Sequence, residues 1–339
     1  MARRALITGI NGQDGGYLSR LLLDKGYEVH GTGRNSASTR QLRAMGIDGR
    51  IRHHTLDLTD TSAIERLIDA VAPDEIYNLG GPSFLGNSFD WPIDSCDASA
   101  LGPMRILGAI RKSGAPVRFY QASSSEMFGR AATSPQDEQT AFRPRSPYAT
   151  AKAFGHWTTV NFREAFGIFA CSVVLYNHES PWRSEKFVTR KITTGFAAIR
   201  HGSGEPVRLG NLDAQRDWGF AGDYVEGMWR MLQQDTPQDF VLATGQTHTV
   251  RQFAECAALA FGWKLAWRGT GLAEEGYDRS SGRILVKVAQ EFWRPAEETV
   301  LCGSPARAEQ VLGWRRTLAM PEIAALMAEA DDRRAREVA

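Results

Sequence analysis

The chain has 339 residues, 42% of them hydrophobic, and its 40 Lys plus Arg against 39 Asp plus Glu leave a formal charge of +1. That length predicts two domains, or one large α/β domain with a smaller lobe. The balanced charge argues against nucleic acid as a partner. Four scattered cysteines, Cys96, Cys171, Cys256 and Cys302, suit neither a disulfide scaffold nor a close metal-ligand pair, so no metal is expected. Arg3-Arg4 lead straight into a strand pattern with no apolar signal core, and no 18-residue apolar run follows, which predicts a cytoplasmic protein without a membrane partner.

In chain order, residues 5–8 read as a buried strand, followed by a glycine-rich turn and a helix over 17–25. Strands are predicted at 28–32, 52–56, 75–79, 117–122 and 170–176, with helices near 62–71, 101–112 and 148–166. This alternation predicts a parallel sheet with helices on both faces. Beyond residue 177 the pattern is irregular, broken by Pro181, Gly202, Gly204 and Gly210. A helix at 223–234 and a strand at 240–243 are expected to return to the main domain. The last ~15 residues, charged and Ala-rich, read as a solvated or frayed helix end.

Gly9-x-x-Gly12-x-x-Gly15 falls where strand becomes helix. Glycines there permit a tight turn and let backbone N–H groups approach a pyrophosphate. The second strand ends in Thr32-Gly33-Arg34-Asn35-Ser36, with an arginine where an NAD site usually offers a carboxylate, which favours the extra phosphate of NADP. Asp57-Leu58, after the third strand, are placed to meet an adenine edge; Asp57 could equally cap the next helix.

The chemistry is concentrated in Ser-Ser-Ser-Glu at 123–126 and Tyr-Ala-Thr-Ala-Lys at 148–152. Tyr148 and Lys152 are four apart and share a helix face. A phenol accepting a proton beside an ammonium suits alcohol oxidation. Glu126 adds a second general base, which lets oxidation set up an elimination.

Several blocks in order carry a resemblance across nearly the whole chain. They include Ala5-Leu-Ile-Thr-Gly-Ile-Asn-Gly-Gln-Asp14, Phe119-Tyr-Gln-Ala-Ser-Ser-Ser-Glu126, Asn177-His-Glu-Ser-Pro181 and Gly210-Asn-Leu-Asp-Ala-Gln-Arg-Asp-Trp218. The chain resembles the GDP-mannose 4,6-dehydratases of the extended short-chain dehydrogenase/reductase superfamily. The resemblance implies a Rossmann-type doubly wound parallel sheet with a smaller C-terminal substrate-binding lobe. Residues 1–176 would be mainly the NADP-binding domain and 177–339 mainly the GDP-sugar lobe, with segments near 211–245 returning to the first.

By the same resemblance Tyr148 and Lys152 oxidise the hexose C4 hydroxyl, Glu126 removes the C5 proton, and Ser124, at the family's threonine position, hydrogen-bonds the C4 oxygen. Cofactor contacts are expected from Gly9, Asn11, Gly12, Gln13, Asp14, Gly15, Arg34, Asp57, Leu58, Leu79, Gly80, Ser83, Tyr148, Lys152, His178 and Arg183. Substrate contacts are expected from Ser83, Ser125, Asn177, Val188, Lys191, Gly210, Arg216, Arg294 and Glu297. The partners implied are GDP-mannose or a related GDP-hexose and further copies of the chain, as a homodimer or homotetramer. For Arg216 an ion pair with Asp217 or Asp223 is the plainer alternative.

Three stretches depart from the family pattern. The loop after Arg34 lacks the double arginine, Leu79-Gly-Gly-Pro-Ser83-Phe-Leu-Gly-Asn replaces a Leu-Ala-Ala-Gln-Ser-His-Val type of segment, and Trp182 stands where an arginine is usual. These leave open a dehydratase, epimerase or reductase acting on another nucleotide hexose. A non-catalytic dinucleotide-binding sensor or scaffold is the remote alternative.

Overall fold

The computed structural model describes residues 2–34, 39–81, 87–202, 204–293 and 300–338. The chain forms two compact units. The first comprises residues 1–176, 221–243 and 303–315, and the second residues 177–220, 244–302 and 316–339.

Seven parallel strands form the sheet of the first unit, in the order Phe240–Leu242, Ala170–Leu175, Arg118–Ser124, Glu75–Asn78, Arg4–Thr8, Glu28–Gly33, Ile51–Thr55. Strand order reverses between Arg4–Thr8 and Glu75–Asn78, which opens a crevice at their carboxyl ends. Leu18, Leu22, Met228 and Trp314 pack on one face of the sheet, and Ile64, Ile68, Ile106 and Ile110 on the other. With both faces covered, the central strands Arg4–Thr8, Glu75–Asn78 and Ala170–Leu175 are buried along almost their whole length.

The first helix is Gln13–Asp24 and starts four residues before the expected 17. Glycines 15 and 16 are poor helix formers, but a Cβ at 15 would strike the Ile10 backbone and one at 16 the Gln41 side chain. Close packing therefore overrides propensity there. Gly303–Arg315 also belongs to this unit: Ser304 donates its N–H to the Gln136 carbonyl (2.7 Å), and the buried Trp314 indole donates to the Asp223 carbonyl (2.6 Å).

The second unit holds a three-stranded sheet, ordered Thr247–Thr249, Gln215–Phe220, Asn177–Glu179, and a four-stranded sheet, ordered Leu265–Arg268, Glu275–Asp278, Ile284–Val288, Val207–Leu209. Helices Val188–Arg200, Val250–Ala260 and Met320–Val338 pack together around Phe196, Phe253, Ile323 and Met327. The C-terminal stretch is not a solvated end. Asp331 is 3% exposed and takes both prongs of the Arg190 guanidinium (2.8 and 2.6 Å) and the Thr193 hydroxyl (2.7 Å). Charge in that segment is satisfied internally, so the helix docks instead of fraying.

Candidate functional site

The carboxyl ends of the first unit's central strands carry the predicted cofactor turn. Gly9 has φ 70°, a left-handed conformation that glycine adopts without strain, and a Cβ there would press within 2.9 Å of Gly80 Cα. Gly12 is the N-cap of the first helix and brings no side-chain oxygen to its opening turn. The first-turn amides and the positive end of the helix dipole therefore face a cradle suited to a diphosphate. Asn11, Gln13 and Asp14 lie in this turn, half-buried, with Gln13 Nε2 donating to Asp14 Oδ1 (3.1 Å), while Gly15 is buried against Ile10.

Arg34 follows the second strand, exposed, and its charge reaches Asp57. The Asp57 carboxyl is held below its ordinary pKa, chiefly by the Thr59 backbone N–H. Capping of the next helix falls instead to Asp60, whose carboxylate accepts from the Ala63 N–H (2.9 Å); Asp57 closes a local turn on Thr59 (3.0 Å). Leu58 is buried, and Leu79 packs into the sheet core beside Gly80.

The glycines at 80 and 81 occupy tight or left-handed positions. A Cβ at 80 would meet Leu58 Cδ1 at 2.7 Å and Thr8 Oγ1 at 3.0 Å, and Gly81 has φ 130°. Gly81→Ala is expected to lower stability by about 1–3 kcal/mol, a loss that urea titration would measure; an unchanged midpoint would contradict it. Ser83, in the same departing segment, lies outside the described residues.

The strand Arg118–Ser124 runs into the 3-10 turn Ser125–Met127, and Ser124 Oγ accepts from the Glu126 N–H (3.3 Å). Met127 and Phe128 are fully buried, and the Met127 carbonyl accepts from the Arg143 N–H (2.9 Å). These anchors fix the backbone that carries Ser124, the buried Ser125 and the half-buried Glu126.

Helix Pro147–Phe166 begins with Pro147 at its first position and with Ser146 Oγ accepting from the Ala149 N–H (3.1 Å). Tyr148 thus sits in the first turn, where the helix dipole favours a phenolate. Tyr148 is 8% and Lys152 7% exposed, so the pair is buried and not a surface pair. Lys152 Nζ lies 5.7 Å from the Tyr148 ring centroid and donates to the Ala122 carbonyl (2.9 Å). Burial pulls the Lys152 pKa down to about 8, against the attraction of Asp14.

A buried polar chain leads to that carbonyl. The Gly80 N–H donates to Thr8 Oγ1 (2.9 Å), Thr8 Oγ1 to Asn78 Oδ1 (2.6 Å), Asn78 Nδ2 to Gln121 Oε1 (2.7 Å), and Gln121 Nε2 to the Ala122 oxygen (3.0 Å). Sequence reasoning passed over Thr8, Asn78 and Gln121. Their signal was present, since each is a polar residue in or at the end of a strand whose neighbours Ile7, Tyr77 and Tyr120 are bulky and apolar.

The remaining site residues belong to the second unit. His178 is buried and Asn177 half-buried on the strand Asn177–Glu179. Arg183 pairs with the buried Glu179 (3.3 Å) and lies 3.6 Å from the Phe187 ring centroid; Glu179 also accepts from Thr189 (2.5 Å). Trp182 is half-buried beneath Arg334, whose guanidinium lies 4.2 Å from the ring centroid and donates to the Pro181 carbonyl (2.7 Å). Arg334→Met is expected to cost about 1–2 kcal/mol and to expose the Trp182 indole, visible as a quenchable fluorescence signal; a silent substitution would oppose this packing.

Val188 opens the helix Val188–Arg200 and Lys191 lies one turn on, its ammonium 3.2 Å from the Phe292 ring centroid. Arg216 Nη1 donates to the Gln215 carbonyl (2.7 Å), while Asp217 accepts from Thr244 and Gly245. Arg294 and Glu297 lie outside the described residues. Among the described residues no cluster of His, Cys, Asp and Glu could hold a metal ion, and no helix is long and apolar enough to cross a membrane.

A doubly wound parallel sheet of this topology, with a glycine turn at the carboxyl end of its first strand, is a Rossmann-type dinucleotide-binding architecture. Solved structures of that shape include RMD from Pseudomonas aeruginosa complexed with NADPH (TM-score 0.77, 20% identity, 98% of this chain and 99% of that one). A dTDP-glucose 4,6-dehydratase from Bacillus anthracis with NAD is similar too (TM-score 0.80, 14% identity, 98% and 97%). The chain belongs to the GDP-mannose 4,6-dehydratase family, whose model matches residues 6–327. It is 47% identical to the GDP-mannose 4,6-dehydratase of Sinorhizobium fredii over 336 residues, covering 96% of each chain. It is 46% identical to that of Homo sapiens over 337 residues, covering 96% of this chain and 91% of the human one.

Proposed function

We propose that the protein is an NADP-dependent hydro-lyase that converts GDP-mannose to GDP-4-keto-6-deoxymannose. The observation that carries this reading is the gathering of Ser124, Glu126 and the buried Tyr148–Lys152 pair around one strand end, with Lys152 fixed to the Ala122 carbonyl. A bound nicotinamide dinucleotide supplies the hydride acceptor at C4 and the hydride donor at C6. Gly9, Gly12 and Gly15 give its diphosphate a close backbone approach, and Arg34 suits the 2′-phosphate.

In this reading Tyr148 accepts the proton of the C4 hydroxyl, and the Lys152 ammonium with the helix dipole stabilises the phenolate. Ser124 donates to the C4 oxygen as it becomes a ketone. That ketone acidifies the C5 hydrogen; Glu126 takes its proton and passes it to the C6 hydroxyl, which departs as water, and the proton held by Tyr148 is then returned to C5. Lys191 and Arg216 serve the guanosine diphosphate, joined by Arg294 and Glu297. The chain would act as a homodimer or homotetramer; the exposed Trp91, Ile93 and Trp157 suit a subunit contact. Its four cysteines, none in a disulfide, suit a reducing cytoplasm.

Incubation of purified protein with NADP⁺ and GDP-mannose tests the reading. Product should form without net accumulation of NADPH. Turnover of another nucleotide hexose with none of GDP-mannose would overturn the substrate assignment.

A further inference from the structure

We propose that Phe292 is a positioning residue, whose ring holds the Lys191 ammonium ready for the diphosphate of the bound nucleotide sugar. This rests on the reading above that Lys191 serves the diphosphate. Lys191 rises from the first turns of the helix Val188–Arg200, and its Nζ lies 3.2 Å from the Phe292 ring centroid. A lysine side chain in water samples many rotamers, and freezing it costs conformational entropy. A ring face beneath the ammonium selects one placement before any ligand arrives. It covers one side of the ammonium and leaves outward N–H donors for phosphate oxygens. The carboxylate best placed to compete for the lysine, Glu291, is engaged by Arg208 (2.9 Å).

The seat for the ring depends on a glycine. Phe292 closes the short turn Gln290–Phe292, its N–H donating to the Ala289 carbonyl (3.1 Å), while the Ala289 N–H donates to the Leu209 carbonyl (2.8 Å). A Cβ at 210 would run into the Phe292 carbonyl oxygen. Gly210 therefore gains a role that needs no contact with substrate: its missing side chain lets residues 289–293 close over and present the ring to Lys191. Phe292 is 45% exposed, so its replacement leaves the core of this unit intact.

A double-mutant cycle on the full-length protein tests this, using calorimetric GDP binding and the KM and kcat for GDP-mannose. Phe292→Leu keeps apolar bulk and removes the ring face; it should weaken GDP binding and raise KM by about 5- to 20-fold with kcat within about twofold. Phe292→Tyr should restore both, and Gly210→Ala should weaken GDP binding in the same direction as the leucine variant. In a Lys191→Met background, Phe292→Leu should have no further effect. Wild-type affinity in Phe292→Leu, or an equal loss with and without Lys191, would overturn the proposal while leaving Lys191 its role. If Lys191→Met alone binds GDP normally, the parent reading of Lys191 fails, and the proposal with it.

Discussion

Glu126→Gln is expected to lower dehydration by about 10²–10⁴-fold while leaving the fold and the C4 oxidation in place. The Ser124 hydroxyl caps the backbone N–H of residue 126, and the fully buried Met127 and Phe128 anchor the turn. A glutamine therefore occupies the same position with the same backbone. What it lacks is basicity, and in the proposed mechanism only the C5 proton requires a base once Tyr148 has taken the C4 proton. The variant should bind GDP-mannose normally, accumulate reduced cofactor up to the enzyme concentration, and exchange C5 hydrogen with heavy water at the same reduced rate. Full-rate exchange at C5 would assign the base to another group.

Lys152→Met is expected to separate stability from activity. The Lys152 pKa falls from 10.5 in the unfolded chain to about 8 in the buried site, so the folded protein disfavours the ammonium. Below pH 8 both states carry the proton, and the penalty of burying it is present in full, about 3 kcal/mol. Between pH 8 and 10.5 the folded protein releases the proton while the unfolded chain still holds it, and the penalty fades. Ligand-free protein should therefore gain stability from this group as pH rises through that window. The methionine variant should melt higher than wild type below pH 8, with the difference gone by about pH 10.5. Its turnover should nevertheless drop about 10²–10⁴-fold, because an uncharged neighbour no longer favours the Tyr148 phenolate. A stability difference independent of pH would contradict the assignment of the penalty to this ammonium.

The sheet of the first unit was legible because its signals are local. Strands such as Arg118–Ser124 and Ala170–Leu175 are short, rich in apolar residues and lie between helical runs, a pattern that suits a covered parallel sheet. The glycine turn was legible for the same reason, yet its helix was placed too late, because Gly15 and Gly16 enter a helix only when a neighbour forbids a side chain. The alternative of helix capping by Asp57 falls to Asp60, three residues on, which has the same chemistry, and only the backbone's direction tells them apart.

Sequence alone determined the alternation of strands and helices, the turn at Gly9 and the shared helix face of Tyr148 and Lys152, since each is set by residues within a few positions of one another. Tertiary structure decided what those residues experience. Lys152 loses its solvent and gains the Ala122 carbonyl 30 residues away, fed by an amide chain from Thr8. Asp331 becomes a buried partner of Arg190, 141 positions earlier, where local composition pointed to water. Desolvation and long-range pairing depend on which distant segments close over a side chain, and no window of local pattern contains that information.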